Sequence, residues 1–138
     1  MDKETLTVKI KAILTHVRGG NLDSAYKGYT ALFSDPEFQK AEPAGQRQAL
    51  ELMIMAKGVP SPATDAMIEA HRAAEAPLGA LLSAHQEPTD YEMLGVCQIV
   101  LGSRDAAEGA FRSGLTIEQQ KNPNSALCNT LMKRIAAL

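Results

Sequence analysis

The chain has 138 residues, 45% of them apolar and 22% charged, which is a globular balance and excludes intrinsic disorder. Fourteen basic and sixteen acidic residues give a net charge of -2. They are well mixed, with no basic stripe of the kind a nucleic-acid surface needs. No apolar run approaches the length of a membrane span, and Met1–Thr5 leads straight into an amphipathic pattern rather than a signal peptide. A cytoplasmic protein with no membrane insertion is expected.

Helix formers fill the segments between the prolines at 36, 43, 60, 62, 77, 88 and 123, and no stretch alternates with the period of a strand. Leu6, Ile10, Ile13, Leu14 and Val17 form one apolar stripe on a first helix, which Gly19-Gly20 ends. Asn21 caps a second helix carrying Leu22, Ala25, Tyr29, Leu32 and Phe33, stopped by Asp35-Pro36. Leu50, Met53, Ile54 and Lys57 mark a third, closed by Gly58, and Ser61-Pro62 is expected to open a fourth. A short extra helical piece is expected over Leu78 to His85. Thr89 and Glu92 are spaced as a capping box for a fifth helix that runs through Leu101 to Gly102. Ser103 caps the sixth, and Pro123-Asn124-Ser125 starts a last one.

These helices repeat. Ala25, Ala66 and Ala107 are 41 residues apart, and Tyr29, Ala70 and Phe111 follow at the same spacing. In the preceding helices Ile13, Ile54 and Gly95 line up, as do Ala12, Met53 and Leu94. Small residues recur where two helices must approach, and large ones where the pair needs a core plug.

The third unit resembles a tetratricopeptide repeat: Tyr91, Leu94, Gly95, Ala107 and Phe111 match the family pattern at its spacings. Gln98 stands where Tyr is usual, Gly114 where Ala is usual, and Gln119 where the closing proline falls. The first unit matches at Gly20, Asn21, Ala25, Tyr29 and Pro36, and the second at Leu50, Ala66 and Pro77. The family period is about 34 residues. The longer spacing here, with Glu42-Pro43-Ala44 and the Leu78 to Gln86 stretch, implies lengthened or added helices. The resemblance implies an all-α fold, a right-handed α-solenoid of about three antiparallel helix pairs plus a capping helix. As a single domain over 1–138, its units would be about 6–40, 47–80 and 88–120, with the cap at 125–138.

No constellation points to catalysis, so a non-enzymatic protein without cofactor or metal is expected. His16, His71 and His85 lie on different helices, and no HExxH, Cys/His metal spacing or GxSxG elbow occurs. Cys97 and Cys128 sit in apolar stretches as buried free thiols, which favours a reducing compartment. Glu69 and Glu75 read as a solvated face, and Met53 and Met67 as core filling.

The resemblance also implies a concave groove lined by the first helix of each unit. The carried-over positions are Thr7, Leu14 and Arg18, then Gln48, Glu51 and Met55, then Thr89, Glu92, Val96 and Ile99. Leu14, Met55 and Val96 share one repeat position, an apolar row that suits a helix or an extended apolar peptide of a partner protein. Either the row is open, or the last helix or a second copy of the chain covers it, as in a structural homodimer. The carboxylate clamp of some relatives is missing, since Ile10, Leu14, Leu52 and Glu92 occupy its places. The implied function is an interaction module of the adaptor or small-chaperone kind, as in bacterial secretion and assembly proteins of this size.

Overall fold

The computed structural model describes residues 1–138: seven α-helices and no strand. The helices are α1 (Lys3–Arg18), α2 (Leu22–Ser34), α3 (Pro43–Ile54), α4 (Asp65–His85), α5 (Pro88–Val100), α6 (Arg104–Lys121) and α7 (Ala126–Ala136), with one 3-10 turn at Phe38–Lys40. None is long and apolar enough to cross a membrane. The chain divides into two compact units, Met1–Pro77 and Leu78–Leu138.

In the first unit α1 and α2 form a hairpin. Gly20, at φ 76°, closes α1: its N–H donates to the Val17 carbonyl, and the Asn21 N–H donates to the His16 carbonyl. A left-handed residue with this bond pair is the Schellman ending that glycine permits without a Cβ clash. The same ending closes α5 at Gly102, φ 79°, with Gly102 bonded to Ile99 and Ser103 to Gln98. These two glycines lie 82 positions apart, twice the 41-residue spacing. The stripe of α1 buries Leu6, Ile10 and Ile13, while α2 buries Ala25, Tyr26, Tyr29, Leu32 and Phe33. Gly28 of α2 lies against Ile13, where an added Cβ would stand 2.7 Å from Cγ1. Tyr29 stacks on Phe33 and Phe33 meets Phe38 edge-on, at centroid distances of 5.6 and 5.2 Å. Gln46 ties the 3-10 segment to α3, its Nε2 donating to the Gln39 and Ala41 carbonyls.

The third helix starts at Pro43 and ends at Ile54 rather than at Gly58, so Lys57 lies outside it and exposed. The fourth begins at Asp65, not after Ser61: Thr64 Oγ1 accepts from the Met67 N–H at 3.2 Å and is the working cap. Leu78 to His85 is not a separate piece but the second half of α4, which passes through Pro77 unbroken. An interior proline costs a helix about 3 kcal/mol or more through its missing N–H and ring clash. Burial of Ala74, Pro77, Leu78 and Leu81 offsets this, at about 1.5–3 kcal/mol for each large apolar side chain.

In the second unit α5 and α6 form the other hairpin, and α7 packs on α6. Gly95 is the close-approach point of the hairpin. A Cβ there would stand 2.6 and 2.7 Å from Cδ1 and Cζ of Phe111, which is fully buried. Ala107, Phe111 and Leu131 form the core cluster, with Val96, Leu115, Leu127, Ile135 and Leu138 packed against it. Ser125 caps α7, its Oγ accepting from the Cys128 N–H.

The capping box expected at Thr89 and Glu92 does not form. The fifth helix starts one residue earlier, with Glu87 at the cap and Pro88 in the first turn, and Thr89 is exposed. Glu92 instead accepts from Nε of Arg134 at 2.7 Å, so a partner 42 positions away wins over the local backbone. A charge-assisted bond between part-buried side chains is the stronger of the two.

Candidate functional site

The chemistry-bearing side chains do not converge. No group of three or more His, Cys, Asp or Glu side chains is placed to hold a metal ion. His71 is buried and its Nδ1–H donates to the Met67 carbonyl at 2.8 Å. His85, expected on a separate helix, is the exposed last residue of the same α4, about four turns away, and His16 is exposed on α1. Cys97 and Cys128 are both buried and form no disulfide. Glu69 is exposed and pairs with Arg72.

The feature with the shape of a site is an apolar cleft in the first unit. Leu14 and Val17 lie one turn apart near the end of α1: Val17 continues the stripe of Leu6, Ile10 and Ile13 but is left exposed there, and Leu14 at its flank is half-buried. Leu22, Ala25, Tyr26 and Tyr29 of α2 form the floor, and Leu52, Met53, Ala56 and the Lys57-Gly58-Val59 loop form the opposite wall. The cleft encloses about 90 Å³. Val17, Leu52 and Val59 on its rim are 40, 37 and 38% exposed, so three of the chain's six exposed large apolar side chains surround one depression. Scattered exposed apolar residues need no explanation, whereas clustered ones mark a contact surface.

The floor is electrically neutral. Burial, with a smaller contribution from Tyr26, pushes the Tyr29 phenol up to about 12, and burial also raises Tyr26. Both hydroxyls therefore stay protonated at physiological pH. Lys57 is the one ionised side chain on the lining. Leu52 and Ala56 also belong to a second, more open depression of about 350 Å³, completed by Gln48, Glu51 and Met55.

The residues expected to bind a partner distribute as follows. Leu14 lines the cleft, and Gln48, Glu51 and Met55 line the depression that shares its Leu52–Ala56 wall. Thr7 and Arg18 are exposed on α1 outside both, and the Thr7 hydroxyl donates to the Lys3 carbonyl on its own helix. In the second unit Thr89 is exposed and Ile99 is 43% exposed. Val96 is half-buried against the Ala107, Phe111 and Leu131 cluster. Leu14, Met55 and Val96, equivalent in the repeat, are all half-buried. Sequence reasoning did not assign Val17, Leu22 or Val59 to a site. The available signal was an apolar residue directly after Gly58, in a loop where polar residues are usual.

Comparison of the chain with models of protein families, with curated proteins and with solved structures gives no match.

Proposed function

We propose that this chain is a non-enzymatic protein-interaction module, an adaptor or small chaperone, that seats an apolar side chain of a partner segment in the cleft of the first unit. The clustering of Val17, Leu52 and Val59 around that cleft carries the reading. Its volume sets the class of occupant. About 90 Å³ is far below the roughly 300–1,000 Å³ of a small-molecule site. One apolar side chain from a helix or extended peptide matches that size. The neutral phenols of the floor suit an uncharged anchor, and the open depression beside it offers Gln48 and Glu51 to the flanking backbone or side chains. In this proposal the helix pairs stack as the right-handed α-solenoid that the resemblance to tetratricopeptide repeats implies, giving the partner a rigid surface.

Substitution on the exposed rim separates binding from folding. Leu52→Asp is expected to retain the helical spectrum and to lose the dominant protein captured from native lysate by the parent chain. Undiminished capture would exclude the cleft. A parent chain that is a dimer, captures nothing, and turns monomeric with Leu52→Asp would assign the cleft to self-association instead.

A further inference from the structure

The last helix covers a face of the second unit in a way that a foreign helix could reproduce. It is the shortest of the seven α-helices, at 11 residues, and helices of that length are marginal in water without tertiary support. It buries only Cys128 and Leu131 fully. Leu127, Ile135 and Leu138 are half-buried, and Met132 is 45% exposed. Beneath it lies a surface that is entirely apolar at its centre, with Ala107 and Phe111 both 0% exposed. Gly114 of α6 makes its close approach to α5, where a Cβ would stand 3.0 Å from Cβ of Tyr91 and 3.2 Å from the Pro88 carbonyl oxygen, whereas Cδ1 of Leu131 on α7 would be at an ordinary contact distance of 3.5 Å. At the edge of this surface stands Glu92, its side chain 12% exposed, bonded at 2.7 Å to the 32%-exposed Arg134.

We propose that α7 is a displaceable cover over a helix-binding groove on α5 and α6. The groove's occupant in trans is an amphipathic partner helix with an arginine beside its apolar stripe. Two observations specify that helix. The residues of α7 that belong to or pack on the cluster fall at i, i+4 and i+8 (127, 131, 135), one continuous face, and Leu138 just past the end of the helix extends it. Glu92 supplies the charge requirement: a carboxylate this deep is destabilising when its cation is withdrawn, so an occupant without a cation at i+7 is rejected. Displaceability follows from how little α7 buries, because segments with few buried apolar contacts open at lower free energy than the global fold. This groove lies wholly within the second unit and shares no residue with the first-unit cleft, so either site can fail without the other.

The test uses the full chain and a fluorescein-labelled synthetic peptide of residues 124–138, followed by anisotropy. In the parent chain the tethered α7 competes at an effective concentration in the millimolar range and keeps the peptide weakly bound. Leu131→Asp in the chain removes the competitor, and the unmodified peptide is then expected to bind at least tenfold tighter. A peptide carrying Arg134→Glu is expected to bind at least tenfold more weakly than the unmodified one. Native-state hydrogen exchange on the parent chain supplies a readout that does not depend on the variant folding: α7 amides should exchange at least tenfold faster than those at the centres of α5 and α6. Equal peptide affinity for both chains, or indifference to Arg134→Glu, overturns the proposal. So does α7 exchange that occurs only with global unfolding. A parent chain that runs as a dimer and loses that state with Leu131→Asp would give the groove to a second copy and overturn the partner-helix assignment.

Discussion

Replacing Gly95 by alanine pits two calculable effects against each other. Alanine in a helix interior is favoured over glycine by about 1 kcal/mol, so the change should stabilise α5 if nothing stood nearby. The new Cβ would stand 2.6 Å from Cδ1 and 2.7 Å from Cζ of Phe111, about 1 Å inside the 3.5–4.0 Å of comfortable carbon contact. Phe111 is fully buried and packed with Ala107 and Leu131, so its ring cannot step aside without moving α6 or α7. Overpacking of that kind costs about 1–3 kcal/mol, and the net expectation is a loss of about 1–2 kcal/mol. Gly109→Ala is the matched control: Gly109 lies on α6 with open space around it, and alanine there should stabilise by up to about 1 kcal/mol. For a chain of this length each kcal/mol moves the thermal midpoint by about 4 °C. Urea and thermal melts followed by circular dichroism should therefore shift in opposite directions for the two variants. In a Phe111→Leu background, which removes the ring edge, the Gly95→Ala penalty should shrink by roughly 1 kcal/mol. Stabilisation by Gly95→Ala, equal to that of Gly109→Ala, would refute the close-approach argument.

Ala107→Leu should cost about 1–3 kcal/mol by the same overpacking, since Ala107 is 0% exposed within the cluster, and calorimetry of the variant checks it. Val96→Asp should unfold the second unit by pressing a carboxylate on that cluster, whereas Ile99→Asp, on the exposed side of α5, should stay within about 0.5 kcal/mol of the parent in urea melts. Ser125→Ala removes the acceptor for the Cys128 N–H and should cost about 1 kcal/mol, read as a lower melting temperature and faster amide exchange in α7. Burial lowers the pKa of His71, against the smaller opposing effect of its hydrogen bond to Met67. The unfolded chain therefore takes up its proton at higher pH than the folded one. The His71 contribution is complete above about pH 6.5 and is lost as the pH falls below it. The parent should lose more stability between pH 7 and 5 than His71→Gln does, and parallel curves for the two would sink this account.

The sequence by itself determined the features that depend on neighbours a few positions away. Gly20 and Gly102 end their helices because the left-handed residue of a Schellman turn needs no information beyond its own turn. The 41-residue register marks burial at two of its four positions, whereas Ala12, Met53 and Leu94 are exposed, buried and half-buried, and Ala66 is half-buried where Ala25 and Ala107 are buried. Ile13, Ile54 and Gly95 are buried at one repeat position, and Tyr29, Ala70 and Phe111 at another, because each occupies the core-facing side of its own helix. Met53 and Met67, read as core filling, are 2 and 3% exposed. What the tertiary structure decided is every choice between a local partner and a distant one. Glu92 had a cap within reach and bonds to Arg134, and Pro77 sits inside α4 because its burial with Ala74, Leu78 and Leu81 outweighs its missing hydrogen bond. The first-unit cleft is of the same kind. Leu14, Tyr29 and Val59 belong to three different segments, and no periodicity within any of them shows that they enclose a common space. Helix ends and stripes follow from short-range backbone geometry, whereas the sides of a helix left uncovered follow from how whole helices pack, which the chain settles only once it has folded.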